Sequence, residues 1–332
     1  MPQNSYAYAV GRIRVLENKL LDNDKINRMV DAPSAGDVLK VLAESEYGQG
    51  EELNSPYDYE LLLSAELEKT YQFIQAITPN QNITDLYLLQ YDIHNLKVLI
   101  KARYIENLQD KPLMSIGTIS MDVLKSAVAN KDYKLLPPFL KEAIERLEDT
   151  LDMRVDPQKI DISLDNAYYN RVFTVSNKSG NAFLRELFIK RIDLTNIKTM
   201  LRVKKIGEGF EFLKNLLLPH GSLDFSLFDK AMDGALEQLL HTAQLSEYDK
   251  VLTDGIQAFI KNGNLMVYER LMDNYLLDFV KSHKYNPLGI EPVVGYLLAK
   301  ENELKLVRMI MVGKTNNIPN DRVRERLRDV YV

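Results

Sequence analysis

Cysteine is absent from all 332 residues. Without a thiol there is no disulfide, no thiolate zinc site, no cysteine-ligated iron–sulfur cluster and no cysteine nucleophile. The absence fits a reducing compartment. Histidine is scarce. Only His94, His220, His241 and His283 occur, and none has the HExxH spacing that sets two imidazoles on one helix face. No metal, cofactor or catalytic residue is therefore expected. No apolar run approaches the roughly 20 residues of a membrane-spanning helix, so the chain is expected at most to sit on a bilayer. The opening residues lack a basic stretch followed by an apolar one, and no secretory signal is expected. An excess of positive charge is also missing. The 42 Lys and Arg against 47 Asp and Glu leave a formal charge of −5, a poor balance for gripping duplex phosphates, so no nucleic-acid partner is expected.

Glycine (15) and proline (12) are sparse. β-Branched runs alternating between turn residues are nearly absent, which disfavours strands. The remaining signals are helical. Ser55-Pro56-Tyr57-Asp58 reads as a cap, a first-turn proline and an early acid. Asp156-Pro157 and Pro137-Pro138 read the same way ahead of two amphipathic stretches, and the stretch Ser34 to Asp37 is placed to cap a helix over Val38–Ser45. The chain is predicted to be all-α, with roughly 15 or more helices of ordinary length.

Charge is segregated along the chain. Asp31 to Lys69 is acidic, Arg185 to Lys205 holds seven bases against two acids, and the last stretch from Lys300 holds eight bases against five acids. Solvated helix faces account for such runs, and they also permit one acidic and one basic surface on a single molecule.

The most informative feature is an internal repeat. Asp92-Ile-His-Asn-Leu-Lys-Val-Leu-Ile100 resembles Asp193-Leu-Thr-Asn-Ile-Lys-Thr-Met-Leu201, and both resemble Glu303-Leu-Lys-Leu-Val-Arg-Met-Ile-Met311. A second echo lies upstream, where Asp161-x-x-x-Asp165-Asn166 matches Glu269-x-x-x-Asp273-Asn274. On a helix turning about 100° per residue, the acids Asp92, Asp193 and Glu303 fall inside the apolar arc. They should be buried and should need partners from elsewhere. The bases Lys97, Lys198 and Arg308 lie about 140° away from them, toward solvent or another helix. These bases are candidates for either a threefold set of partner contacts or internal helix-to-helix bonds. The copies divide the chain into three predicted helical modules, residues 1–110, 111–215 and 216–332.

Two glycine motifs invite other readings and fail them. Gly313-Lys314-Thr315 lacks the glycine a phosphate loop needs five residues earlier, where Arg308 stands. Gly207-Glu-Gly209 lacks the third glycine of a dinucleotide fingerprint, since position 212 is Phe.

Taken in order, Tyr6-Ala-Tyr-Ala-Val-Gly-Arg12-Ile-Arg14, Tyr47-Gly48, Asp92-x-His-Asn-Leu-Lys97, Asn286-Pro-Leu-Gly289, Lys300-Glu-x-Glu303, Gly313-Lys314 and Arg324-Glu-Arg-Leu327 resemble the C subunit of the V/A-type rotary ATPases, known in eukaryotes as the d subunit. The resemblance spans essentially the whole chain. One departure is Leu306, which stands where the first two repeats have Asn95 and Asn196. The resemblance implies an all-α funnel with pseudo-threefold symmetry. It implies a non-catalytic, peripheral component on the cytoplasmic face of the membrane, one copy per complex. Such a component joins the D and F axle subunits of the ATPase head to the membrane rotor ring and passes torque between ATP chemistry and proton or sodium transport. The residue reading alone leaves open a helical scaffold for soluble partners, outside any rotary motor, or a helical enzyme.

Overall fold

The computed structural model describes residues 5–47, 55–104, 113–151, 156–236, 239 and 243–332. Among these there is no β-strand, and the helices gather into two compact units. One is continuous, residues 81–233, and the other combines residues 1–80 with 234–332. The boundary at 110/111 between the first two expected modules, like His241, lies outside the described residues.

Caps form at Asp156, at Ser34 and at Ser55. The Asp156 side chain accepts from the Gln158 N–H at 3.0 Å, and the helix begins at Pro157. Ser34 accepts from Asp37 N at 3.2 Å and starts the helix at Ala35, three residues earlier than expected. Ser55 and Asp58 form a reciprocal capping box around the 3-10 turn Pro56–Asp58. Each such cap is worth about 1 kcal/mol.

The continuous unit contains α5 (Gln81–Tyr104), α6 (Met121–Asn130), α7 (Pro138–Leu151), α8 (Pro157–Ser179), α9 (Ala182–Ile206), α10 (Phe210–Lys214) and α11 (Phe225–Asp233). Its axis is the packing of α5 and α7 on α8. Leu86, Ile93, Leu96 and Ile100 are buried on α5, and Ile160, Leu164 and Val172 are fully buried on α8. Each such side chain contributes about 1.5–3 kcal/mol by leaving water.

The composite unit contains α1 (Ala7–Glu17), α2 (Asn23–Asp31), α3 (Ala35–Ala43) and α4 (Tyr59–Ile77) from the first part of the chain. From the last part come α12 (Asp249–Asn262), α13 (Met266–Ser282), α14 (Glu291–Thr315) and α15 (Asn320–Arg324). Helix α14 is its core. It packs against α1, α2, α3, α4, α13 and α15, and Val293, Val294, Leu297, Leu306, Val307, Ile310 and Met311 are all essentially inaccessible. Contacts across hundreds of residues hold the unit shut. Lys314 Nζ donates to the Val30 carbonyl at 2.6 Å, Arg324 pairs with Asp31 at 2.5 Å, and the Tyr6 N–H donates to the Leu288 carbonyl at 3.2 Å.

Candidate functional site

The three repeated acids mark three buried cradles, two in the continuous unit and one in the composite unit. Asp92 on α5 is 0% exposed. Its carboxylate accepts from Thr118 N at 2.8 Å, Thr118 Oγ1 at 2.6 Å and Ile119 N at 3.3 Å. One turn on, Asn95 clasps the same loop from both sides. Its amide donates to the Met114 carbonyl at 3.0 Å and its oxygen accepts from Met114 N at 2.8 Å. Burial pushes the Asp92 carboxyl up, and the Thr118 and Ile119 donors pull against it.

Asp193 on α9 repeats the arrangement. It is 0% exposed and accepts from Ser222 N at 2.8 Å, Ser222 Oγ at 2.5 Å and Leu223 N at 3.4 Å. Asn196 clasps Leu218 as Asn95 clasps Met114, with bonds of 3.1 and 2.8 Å. Both loops carry a glycine where a side chain would strike the carboxylate. A Cβ on Gly117 would lie 2.1 Å from Asp92 Oδ1, and one on Gly221 would lie 2.6 Å from Asp193 Oδ1.

Glu303 on α14 is 4% exposed and takes its backbone donor from the Leu21 N–H, 282 positions away. Leu21 stands two residues before α2, just as Ile119 stands two before α6 and Leu223 two before α11. With Leu306 in place of the asparagine, this cradle is braced differently. Lys300 Nζ, itself 4% exposed, donates to Glu303 Oε1 at 2.8 Å and to the Tyr47 hydroxyl at 2.9 Å, and pairs with Glu66 at 3.0 Å. Burial raises the Glu303 carboxyl and lowers the Lys300 ammonium, with Glu66 opposing the second shift. The sequence held an unread signal here. Lys190 stands three residues before Asp193 as Lys300 does before Glu303, and Lys190 is also buried, 3.3 Å from Glu186.

Lys97 and Arg308 join helices inside a unit. Lys97 pairs with Asp165 on α8 at 2.6 Å, and one turn on Lys101 pairs with Asp161 at 2.6 Å. Arg308 makes a two-pronged pair with Glu60 on α4 at 2.7 and 2.9 Å. Lys198 lies half-buried on α9. The upstream echo engages the same kind of bond, since Asp273 on α13 receives Lys305 and, at 2.9 Å, Arg328. Burial works upward on Asp273, and those two cations bring its carboxyl below the ordinary range.

A profile described as "ATP synthase (C/AC39) subunit" matches residues 9–326. The chain belongs to this family. It is 27% identical to the C subunit of the V-type sodium ATPase of Enterococcus hirae over 329 residues, 96% of this chain and 97% of that one. It is 25% identical to the C subunit of the A-type ATP synthase of Methanocaldococcus jannaschii, covering 97% and 86% of the two chains. The corresponding protein of Methanosarcina acetivorans is 27% identical, over 98% and 93%.

This family member also holds a polar knot that its sequence did not announce. Glu148 on α7 accepts from Arg103 at 2.7 Å, the Tyr133 hydroxyl at 2.6 Å and the Tyr104 hydroxyl at 2.7 Å, and Lys131 lies 3.2 Å away. Burial works upward on Glu148, but these four partners bring its carboxyl down to about 2. The glycine motifs have structural uses. Gly207 ends α9 with φ +81°, a left-handed cap that glycine adopts at little cost. Gly313 lets α15 approach α14, since a Cβ there would lie 2.5 Å from Val323 Cγ2. His220 stacks on Phe173 with ring centroids 4.4 Å apart, and His283 bonds the Phe279 carbonyl at 2.9 Å. Among the described residues no cluster of acids and histidines is disposed to hold a metal ion, and no helix is long and apolar enough to cross a membrane.

Proposed function

We propose that this chain is the central-stalk component of a V/A-type rotary ATPase. It joins the D and F axle subunits of the soluble head to the rotor ring at the cytoplasmic face of the membrane, one copy per complex. It turns with both and passes torque between ATP hydrolysis or synthesis and ion transport, without catalysis of its own. The observation that carries this reading is the family match across residues 9–326, with relatives named as the C subunit of a V-type sodium ATPase and of A-type ATP synthases.

The cradles support the mechanical part. A coupling element must resist twisting, and a helix tied to its loop by a buried carboxylate has few ways to yield. We read the fold as a funnel of three similar modules about a pseudo-threefold axis, near residues 1–110, 111–215 and 216–332. With these bounds each repeated acid meets a loop of the next module, and the last, Glu303, meets one from the beginning of the chain. Asp92, Asp193 and Glu303 serve as the structural acids of the modules, and Lys97, Lys198 and Arg308 as helix-packing bases.

The test is affinity purification of the tagged chain from native membranes, followed by deletion. Co-purification with head and ring proteins is expected, and deletion should abolish ATP-driven ion transport while leaving the catalytic head able to hydrolyse ATP. Recovery of the chain free of every ATPase component would refute the assignment and favour a scaffold for soluble partners.

A further inference from the structure

Helices α14 and α15 enclose a cleft that the internal architecture leaves unused. Its volume is 240 Å³, and its apolar surface comes from Met309, Val312, Ile318 and Val323. Val312 is 38% exposed although it belongs to the most deeply buried helix of the unit. Cations surround this floor, namely Lys305, Arg308, Arg322 and Arg326. Lys305 and Arg308 are committed to Asp273 and Glu60, and Arg322 meets Glu325 at 3.0 Å on the exposed surface. Arg326 is exposed and has no side-chain partner among the described residues. Gly313 also lines it, and its lack of a side chain lets Val323 close against α14 at the cleft's edge.

An apolar hollow with a cationic rim selects a ligand that is apolar in the middle and acidic at the edges. The cleft is smaller than the roughly 300–1,000 Å³ of sites that enclose a small molecule. It suits one or two side chains rather than a cofactor. We propose that this cleft is a docking site for an acidic segment of a partner polypeptide, which inserts an aliphatic or aromatic side chain between α14 and α15 and sets carboxylates against Arg322 and Arg326. The inference rests on the chain being part of a multi-protein assembly and names one surface by which it is held there.

The experiment places a photo-cross-linking amino acid at Val312 in the full chain, in cells, with a control at the exposed Leu135 in the other unit. Adducts are mapped by mass spectrometry. An adduct at position 312, absent at 135, on an apolar residue flanked by Asp or Glu is the expected result. Irradiation that yields no polypeptide adduct at 312, an adduct on a segment without acids, or a lipid adduct would each overturn the proposal. In a second arm, Arg322→Glu with Arg326→Glu should weaken association with the cross-linked partner by about tenfold or more and lower the salt concentration at which it dissociates. Unchanged association of this variant, with helicity intact by circular dichroism, would also overturn it. Co-purification with ATPase components is scored separately. A chain that assembles but leaves the cleft empty refutes the docking site alone, and failure to assemble refutes the assignment while the adduct still reports on the cleft.

Discussion

Replacing Asp92 and Gly117 by alanine, singly and together, measures what the first cradle contributes. All three atoms nearest to a Cβ on Gly117 belong to Asp92, at 2.1, 3.0 and 3.6 Å, and the glycine does not occupy the left-handed region, so the obstacle is steric. Gly117→Ala forces the loop off the carboxylate and should cost about 2 kcal/mol, within the usual range for overpacking. Asp92→Ala removes the carboxylate acceptor of Thr118 N at 2.8 Å, of Thr118 Oγ1 at 2.6 Å and, more weakly, of Ile119 N at 3.3 Å. Bonds to charged groups contribute about 1.5–3 kcal/mol each, and the partly exposed loop can rehydrate, so a net loss of about 3 kcal/mol is expected. In the double variant the new methyl enters the space the carboxylate has left. The pair should therefore lose about 3 kcal/mol rather than 5, a coupling of about 2 kcal/mol. Urea unfolding by circular dichroism measures the totals, and hydrogen exchange at the Thr118 and Ile119 amides localises them, which matters in a protein of two units. Additive losses would show that Gly117 and Asp92 do not oppose each other.

The remaining perturbations address other parts of the molecule. Glu303 has its carboxyl pushed up to about 8 by burial, so the folded state holds a proton that the unfolded chain releases nearer 4.5. The stability this group provides is full below about 4.5 and disappears as pH rises through 8; Glu303→Gln should flatten that slope in thermal unfolding, and an unchanged slope would assign the pH dependence elsewhere. Arg308→Ala should cost no more than about 1 kcal/mol, because both it and Glu60 are nearly half exposed; a larger loss in urea unfolding would show that the pair ties α4 to α14 more firmly than a surface bridge. Gly313→Ala should destabilise the composite unit by about 1–3 kcal/mol by driving Val323 away, visible as faster amide exchange in α15.

The repeated acids were legible in the sequence because a carboxylate inside an apolar arc is a local pattern that helix geometry exposes. Their partners were only partly so. Met114-x-x-Gly117-Thr118-Ile119 and Leu218-x-x-Gly221-Ser222-Leu223 are copies of one loop, but their function emerges only when Asp92 and Asp193 are seen to occupy the space above the glycines. The Leu21 donor to Glu303 could not be read at all, since no local pattern links positions 282 apart. The Glu148 knot stayed hidden for a related reason. Arg103 and Tyr104 come from one segment and Lys131 and Tyr133 from another, and neither shares a period with Glu148. Lys97 and Arg308 presented two uses in the sequence, and neither of the partners the structure gives them, Asp165 and Glu60, lies within reach of a local pattern.

The division of the composite unit between residues 1–80 and 234–332 sets an order of events during synthesis. The continuous unit has all its helices once residue 233 has emerged, and domains commonly fold as they leave the ribosome. Helices α1 to α4 must wait, because the surface they cover belongs to α14, and Leu21 finds no carboxyl acceptor until Glu303 has been made. Until then the apolar sides of these early helices are open to chaperones and to misassociation. Their burial reports that translation has passed the last helices, so a chain cut short before α14 would present exposed early helices to quality control.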